Sequence, residues 1–336
     1  MNWRRLAAEY GTMFLIWGCL ILLFSLLSDR FMTAATFSTL ASQIPALAVV
    51  AAGMTLVIIV AGIDLSVGSM LAFAGAVFGA VLVDAGWPIY IAVVMALGAG
   101  ALGGFANGWI SVKFNVPPFI VTLGMLEIAR GLSYMTTRSQ TKYLDGALSG
   151  LATPVPGIGL PPSFFIAIAV VVILQFVLSG TVFGRRLIAI GTNENAVRLA
   201  GVNTHGPKII VFVITGFLAG LGALFYTARL GSSDPNAGAG MELLAIAAVV
   251  IGGTSLMGGR GTVINTFFGV LIIATLETGL AQLGASEPLK RVITGGVIIA
   301  AAVVDAWRHK LKGGPFAVLK ALLRRPNAKG DSTPQA

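Results

Sequence analysis

Residues 184–208 read GRRLIAIGTNENAVRLAGVNTHGPK, and this polar stretch decides what the rest of the chain can be. Apolar runs long enough to cross a bilayer flank it on both sides, so it must lie outside hydrocarbon, between membrane spans. Its interior predicts a short helix, with Thr192 or Asn193 as N-cap, Ala196, Val197, Leu199 and Ala200 as one apolar face, and Gly201 in a left-handed C-cap. Glu194 and Arg198 stand four apart and are expected to pair along it. Two turns cannot hold themselves in water, because nucleation is costly and few hydrogen bonds follow it. The helix must therefore be docked, either as a capped loop against the protein's own surface or as a docking element for a partner.

Working outward, the chain has 336 residues, 56% of them hydrophobic and 10% charged, where soluble domains carry about a quarter charged. Apolar segments fall at approximately 11–27, 44–61, 65–83, 89–111, 119–136, 162–179, 209–228, 241–257, 262–282 and 289–306. The expectation is an all-α polytopic membrane protein with about ten membrane segments, some broken or re-entrant. The first run follows MNWRR like a signal peptide, but it is longer than an h-region and many spans follow, so it reads as a retained helix. Residues 1–310 form one expected membrane domain, with a cytoplasmic loop at 184–208. Residues 311–336 form a basic tail, amphipathic at first and then polar and disordered, whose first part suits anionic lipid headgroups.

The net charge of +9 reads as topology rather than as a nucleic-acid surface. With the N-terminus in the cytoplasm, 15 Lys and Arg residues fall in inside loops and tail and six in outside loops, with Arg130 left within a span. Both termini and the polar stretch are then cytoplasmic. Cys19 is the only cysteine, so neither an intrachain disulfide nor a cysteine metal cluster can form.

Two places break the apolar pattern, AGIDLSVGSM (61–70) and IGGTSLMGGRGT (251–262). Each is too short for an ordinary soluble loop. Each is either a re-entrant break, tolerated only when buried in protein or lining a cavity, or a tight turn at the cytoplasmic surface. Ionisable groups in spans are expensive and therefore candidates for function. Glu127 and Arg130, three apart, are expected to neutralise each other on one helical face. Glu277 lies within reach of an outward vestibule. Asp64 and Ser66 sit in the first break, where Asp64 reads best as a cap on the following helix. Asn107 suits interhelical hydrogen bonding as well as a pathway.

There is no phosphate loop, no HExxH, no nucleophile elbow, and neither His205 nor His309 stands in a metal-ligand pattern. No catalytic residue, metal or cofactor is expected, and a separate subunit would have to hydrolyse any ATP.

GIDLSVGS, VPPFIVTLGMLEIARGL, GTNENAVRLAGVN and ELLAIAAVVIGGTSLMGGRGT stand in this order from the second segment to the ninth. In these motifs the chain resembles the permeases of ribose-type, binding-protein-dependent bacterial ABC importers, which take up monosaccharides and similar small polar solutes. The resemblance implies an inner-membrane location, a second permease subunit in a homo- or heterodimer, cytoplasmic ATP-binding subunits and a periplasmic solute-binding protein. It also places the family's coupling segment on GTNENAVRLAGVN, with Glu194, Asn195, Arg198, Leu199 and Gly201 toward the ATPase. Branched-chain amino-acid permeases share the broad architecture but usually lack this GIDLSVG and GGTS combination. A stand-alone proton-coupled transporter using Glu127, Arg130 or Glu277 is the alternative from another energetic class.

Overall fold

The structure, a computed structural model, describes residues 3–311. All but the first residue of the tail expected at 311–336 lies outside the described residues. Helix α1 spans Trp3–Leu27, α2 Ala34–Ile59, α3 Val67–Gly79 with a π-turn continuing to Asp84, α4 Ile89–Lys113 and α5 Pro118–Thr137. A loop with strand β1 (Lys142–Tyr143) and the single turn α6 (Ser149–Ala152) leads to α7 (Pro162–Gly180), α8 (Val182–Leu199) and α9 (His205–Leu230). Strand β2 (Ser232–Ser233), α10 (Met241–Ile251), α11 (Val263–Gln282) and α12 (Glu287–Leu311) follow. The two short strands pair antiparallel, Lys142 opposite Ser233, and strap two loops together; the rest is all-α.

Among the described residues, six helices are long and apolar enough to cross a membrane by length and composition: α2, α3 with its π-turn, α4, α7, α9 and α11. The apolar part of α1 and the whole of α10 are shorter. Helix α5 has the length of a span but carries Glu127 and Arg130, which lower its hydropathy.

Helix α2 is the core of the molecule. Its most apolar stretch is 89% buried, against 22% for α4 and 28% for α7. The outer helices turn Val94, Leu102, Val172 and Phe176 outward, an arrangement costly in water and natural in lipid. Helices α4 and α9 cross with their backbones in contact. A Cβ on Gly104 would lie 2.1 Å from the Phe212 carbonyl oxygen, and one on Gly216 would lie 2.1 Å from that of Gly100. Small residues four apart permit such a crossing, which is held by close packing where no hydrophobic drive between helices exists.

Both expected breaks are irregular backbone, and a third lies at residues 231–240, between the expected segments 209–228 and 241–257. Ser233 Oγ donates to the Gly75 carbonyl at 2.7 Å, and Gly238 lies against Gly68 closely enough that a Cβ would sit 2.7 Å from its carbonyl oxygen. The segment thus descends about 10 Å alongside α3, at 1.5 Å per helical residue. Helix α10, 11 residues long, continues downward for about 16 Å. Together they make one discontinuous segment, irregular above and helical below.

Candidate functional site

Helix α8 is broken by Asn193, whose φ of −161° and ψ of 92° are extended backbone. A first helix ends at Thr192 and a second, Glu194–Leu199, begins. The Asn193 Oδ1 accepts the Ala196 N–H at 3.0 Å and so satisfies an orphan donor of the first turn. Thr192 is occupied elsewhere, its hydroxyl donating to the Ile188 carbonyl at 2.7 Å. At the other end Gly201 has φ 76°. Its N–H donates to the Arg198 carbonyl while the Val202 N–H donates to that of Val197, the crossed bonds of a Schellman stop.

The expected Glu194–Arg198 pair does not form. Glu194 instead meets Lys208 at 2.5 Å, and Arg198 donates to Asn195 Oδ1 at 2.7 Å. The chain folds back so that the first turn of α9 offers a cation to a half-buried carboxylate, a better partner than a solvated i, i+4 arginine. Partial burial opposes ionisation of Glu194, but the hydrogen bond and charge of Lys208 outweigh it and hold the carboxyl below its usual range. The expected apolar face splits as well. Val197 packs on the core, whereas Leu199 is 90% exposed and Ala196 and Ala200 are exposed with Asn195 and Arg198.

This short helix has a seat that sequence reasoning missed. A Cβ on Gly191 would lie 1.7 Å from the Ile59 carbonyl oxygen, and one on Gly259 would lie 2.4 Å from the Thr192 hydroxyl. The Gly259 N–H donates to that same Ile59 carbonyl at 2.9 Å. The end of α2, the loop before α11 and the turn before Asn193 therefore meet backbone to backbone. Only glycine allows this approach, and Gly259 at φ 73° needs its left-handed freedom too. The signal in the sequence was the GG of LMGGRG, read there as a break but not as a partner for Gly191.

Three predicted residues, Asp64, Ser66 and Asn107, come together, and all are buried. Asp64 Oδ1 accepts the Ser66 N–H at 2.9 Å and the Ser66 hydroxyl at 2.6 Å, an Asx turn that ends the joint between α2 and α3. Asn107 Nδ2 donates to Ser66 Oγ at 2.9 Å. Thr122 of α5, absent from the expected set, accepts the Leu65 N–H and donates to the Ile63 carbonyl, both at 3.1 Å. The node pins the joint to α4 and α5.

Glu127 and Arg130 do not pair. Arg130 Nη1 donates to the carbonyls of Pro235 at 2.6 Å and Ala237 at 3.0 Å, and Tyr134 donates to Asn236 Oδ1 at 2.5 Å. The broken segment at 231–240 presents carbonyls without helical partners, and one guanidinium satisfies two of them. Glu127 is left exposed on the outward face of α5. Glu277 stands apart from both, lining a cavity of about 240 Å³ with Gln43, Tyr226, Arg229 and Asn236. Among the described residues no group of three or more His, Cys, Asp or Glu side chains could hold a metal ion.

A family model described as branched-chain amino acid transport system / permease component matches residues 36–302, which include every group described above. The chain is 40% identical over 293 residues to the ribose import permease protein of Escherichia coli (strain K12), covering 85% of this chain and 90% of that one. It is 34% identical over 299 residues to the D-allose transport system permease protein of the same organism, covering 88% and 91%. It is 33% identical over 295 residues to the fructose import permease protein of Rhizobium meliloti, covering 85% and 82%. The family description names amino acids while these three relatives are named for sugars. The chain belongs to the family of branched-chain amino acid transport system / permease components, and within it is similar to ABC permeases named for sugars.

Proposed function

We propose that this chain is the membrane permease subunit of a binding-protein-dependent ABC importer, and that it carries a monosaccharide or similarly small, neutral polyhydroxylated solute into a bacterial cytoplasm by ATP-driven alternating access. The observation that carries the reading is the helix Glu194–Leu199. It is capped at both ends and tied by Glu194 to Lys208, yet it leaves Leu199 90% exposed. A self-docked loop would bury its leucine. A helix made to meet another protein holds its own backbone rigid and leaves an apolar knob and an arginine for the partner, where interface energy concentrates in few residues.

In this reading the partner is a cytoplasmic ATP-binding subunit, with Asn195, Arg198, Leu199 and Gly201 at the contact and Glu194 as the internal tie. Closure of two such subunits moves the helix, and the backbone contact of Gly191 with Ile59 and Gly259 passes the motion to α2 and α11. A second permease copy or homologue completes the pathway, and a periplasmic binding protein docks at the end remote from the helix. Both termini are cytoplasmic in the inner membrane, residues 1–310 act as one membrane domain, and the first part of the tail at 311–336 serves to bind lipid headgroups.

Glu127, exposed on a helix of spanning length, favours a second reading as a stand-alone proton-coupled transporter. One assay separates the two. The permease is reconstituted in liposomes with its ATP-binding and binding-protein partners and offered ribose, allose, fructose, arabinose and leucine. The proposal expects uptake of at least one sugar that requires ATP and survives a protonophore. Uptake that collapses with the proton gradient while ATP is held constant contradicts it, and uptake of leucine alone returns the chain to the amino-acid branch named by the family description.

A further inference from the structure

The cavity containing Glu277 lies among α2, α9, α10 and α11, and irregular backbone forms one wall. Gly238 and Ala239 line it, and behind them Arg130 holds the carbonyls of Pro235 and Ala237. Helix packing alone does not require such a wall. Non-helical backbone at membrane depth persists only when buried in protein or facing a wet cavity, and here it faces the cavity. Helix α9 begins beside the coupling helix and runs 26 residues to Leu230, so Arg229 lies about 36 Å along it from His205.

The lining has a definite chemistry. Arg229 sits over the Tyr226 ring at 5.3 Å and makes no ion pair with Glu277, so the cavity wall carries one guanidinium and one carboxyl group at separate points. Asn236 is committed to Tyr134 and Asp234 and serves as wall. No hydrogen bond ties Gln43 or Glu277 to another described residue, and both line the space. Ile44, Leu47 and Leu244 supply an apolar side. The volume of about 240 Å³ is many times the roughly 10–15 Å³ that one water needs by such a measure. It has room for a compact solute of on the order of ten non-hydrogen atoms.

We infer that each subunit holds a neutral polyhydroxylated solute in this cavity, with Glu277 accepting from hydroxyls, Gln43 and Arg229 donating to them, and the apolar side against the solute's C–H face. The inference rests on the transport reading and adds a solute-holding subsite inside a single chain. The test uses the full reconstituted complex in a Cys19→Ser background, with Ala239→Cys as a reporter and, as probe, whichever of ribose, allose, fructose or arabinose the parent takes up. The sugar should slow maleimide labelling at position 239 several-fold. Glu277→Gln and Gln43→Ala should each raise the KM for uptake about ten-fold while leaving the maximal rate within about threefold, the signature of lost binding rather than lost structure. Uptake by the parent together with unprotected labelling and unchanged KM values overturns the subsite alone. Absence of ATP-driven sugar uptake by the parent overturns the transport reading and the subsite with it.

Discussion

The joint at Asp64 and the helix at Glu194 are built from the same kinds of groups, a carboxylate and an amide beside the start of a helix, turned in opposite directions. At the joint Asp64, Ser66, Asn107 and Thr122 are all buried, and their bonds run to one another or to adjacent backbone. At the helix only Glu194 and Val197 turn inward, while Arg198 and Leu199 project from a backbone already satisfied by Asn193 and Gly201. Residue type does not separate a structural polar group from one offered to a partner. Burial does, for Asn107 and Arg198 each donate one side-chain hydrogen bond, yet Asn107 is buried and Arg198 exposed.

The largest effect should come from opening the joint. Asp64→Leu leaves the Ser66 N–H and hydroxyl without their acceptor in a buried site. Each such loss costs about 1–3 kcal/mol, so thermal unfolding in detergent should show a loss of about 3 kcal/mol or more, while Asp64→Asn, which keeps an acceptor, should recover most of it. An Asp64→Leu protein as stable as the parent but unable to transport would mean that Asp64 faces the solute and is not a structural group.

The membrane class, the positions of most helices and both caps of the short helix were legible because hydropathy and capping are local properties. The two expected charge pairs were not, and for one reason. Spacing of three or four brings side chains together on an isolated helix, but Glu194 and Arg130 each found a better partner across the fold, in Lys208 and in the carbonyls of Pro235 and Ala237. The third break was hidden because SSDPNAGAG reads like any outer loop. Only its contacts with Gly75 and Gly68 show that it descends beside α3.

A smaller effect is expected at the tie. Glu194→Gln removes a partly solvated ion pair and should cost at most about 1 kcal/mol, and a double-mutant cycle with Lys208→Met should locate that energy in the pair. Because the folded carboxyl titrates below its reference value of 4.5, its contribution is complete above that value and is lost as the pH falls through the lower folded one. The parent should therefore lose this increment on acidification and Glu194→Gln should not. An unchanged pH response in the variant would remove Lys208 as the partner.

Leu199 is where stability and function should separate completely. It is 90% exposed, so Leu199→Asp should accumulate in the membrane and melt like the parent. Co-purification of the ATP-binding subunit with Leu199→Asp is the most direct measurement of the central claim. Loss of an anchor of this kind costs on the order of 2 kcal/mol, so retention of the subunit should fall at least about ten-fold, with uptake falling alongside it. A Leu199→Asp permease that keeps its ATP-binding subunit and transports at the parental rate would show that Glu194–Leu199 is a capped surface loop and that the coupling contact lies elsewhere.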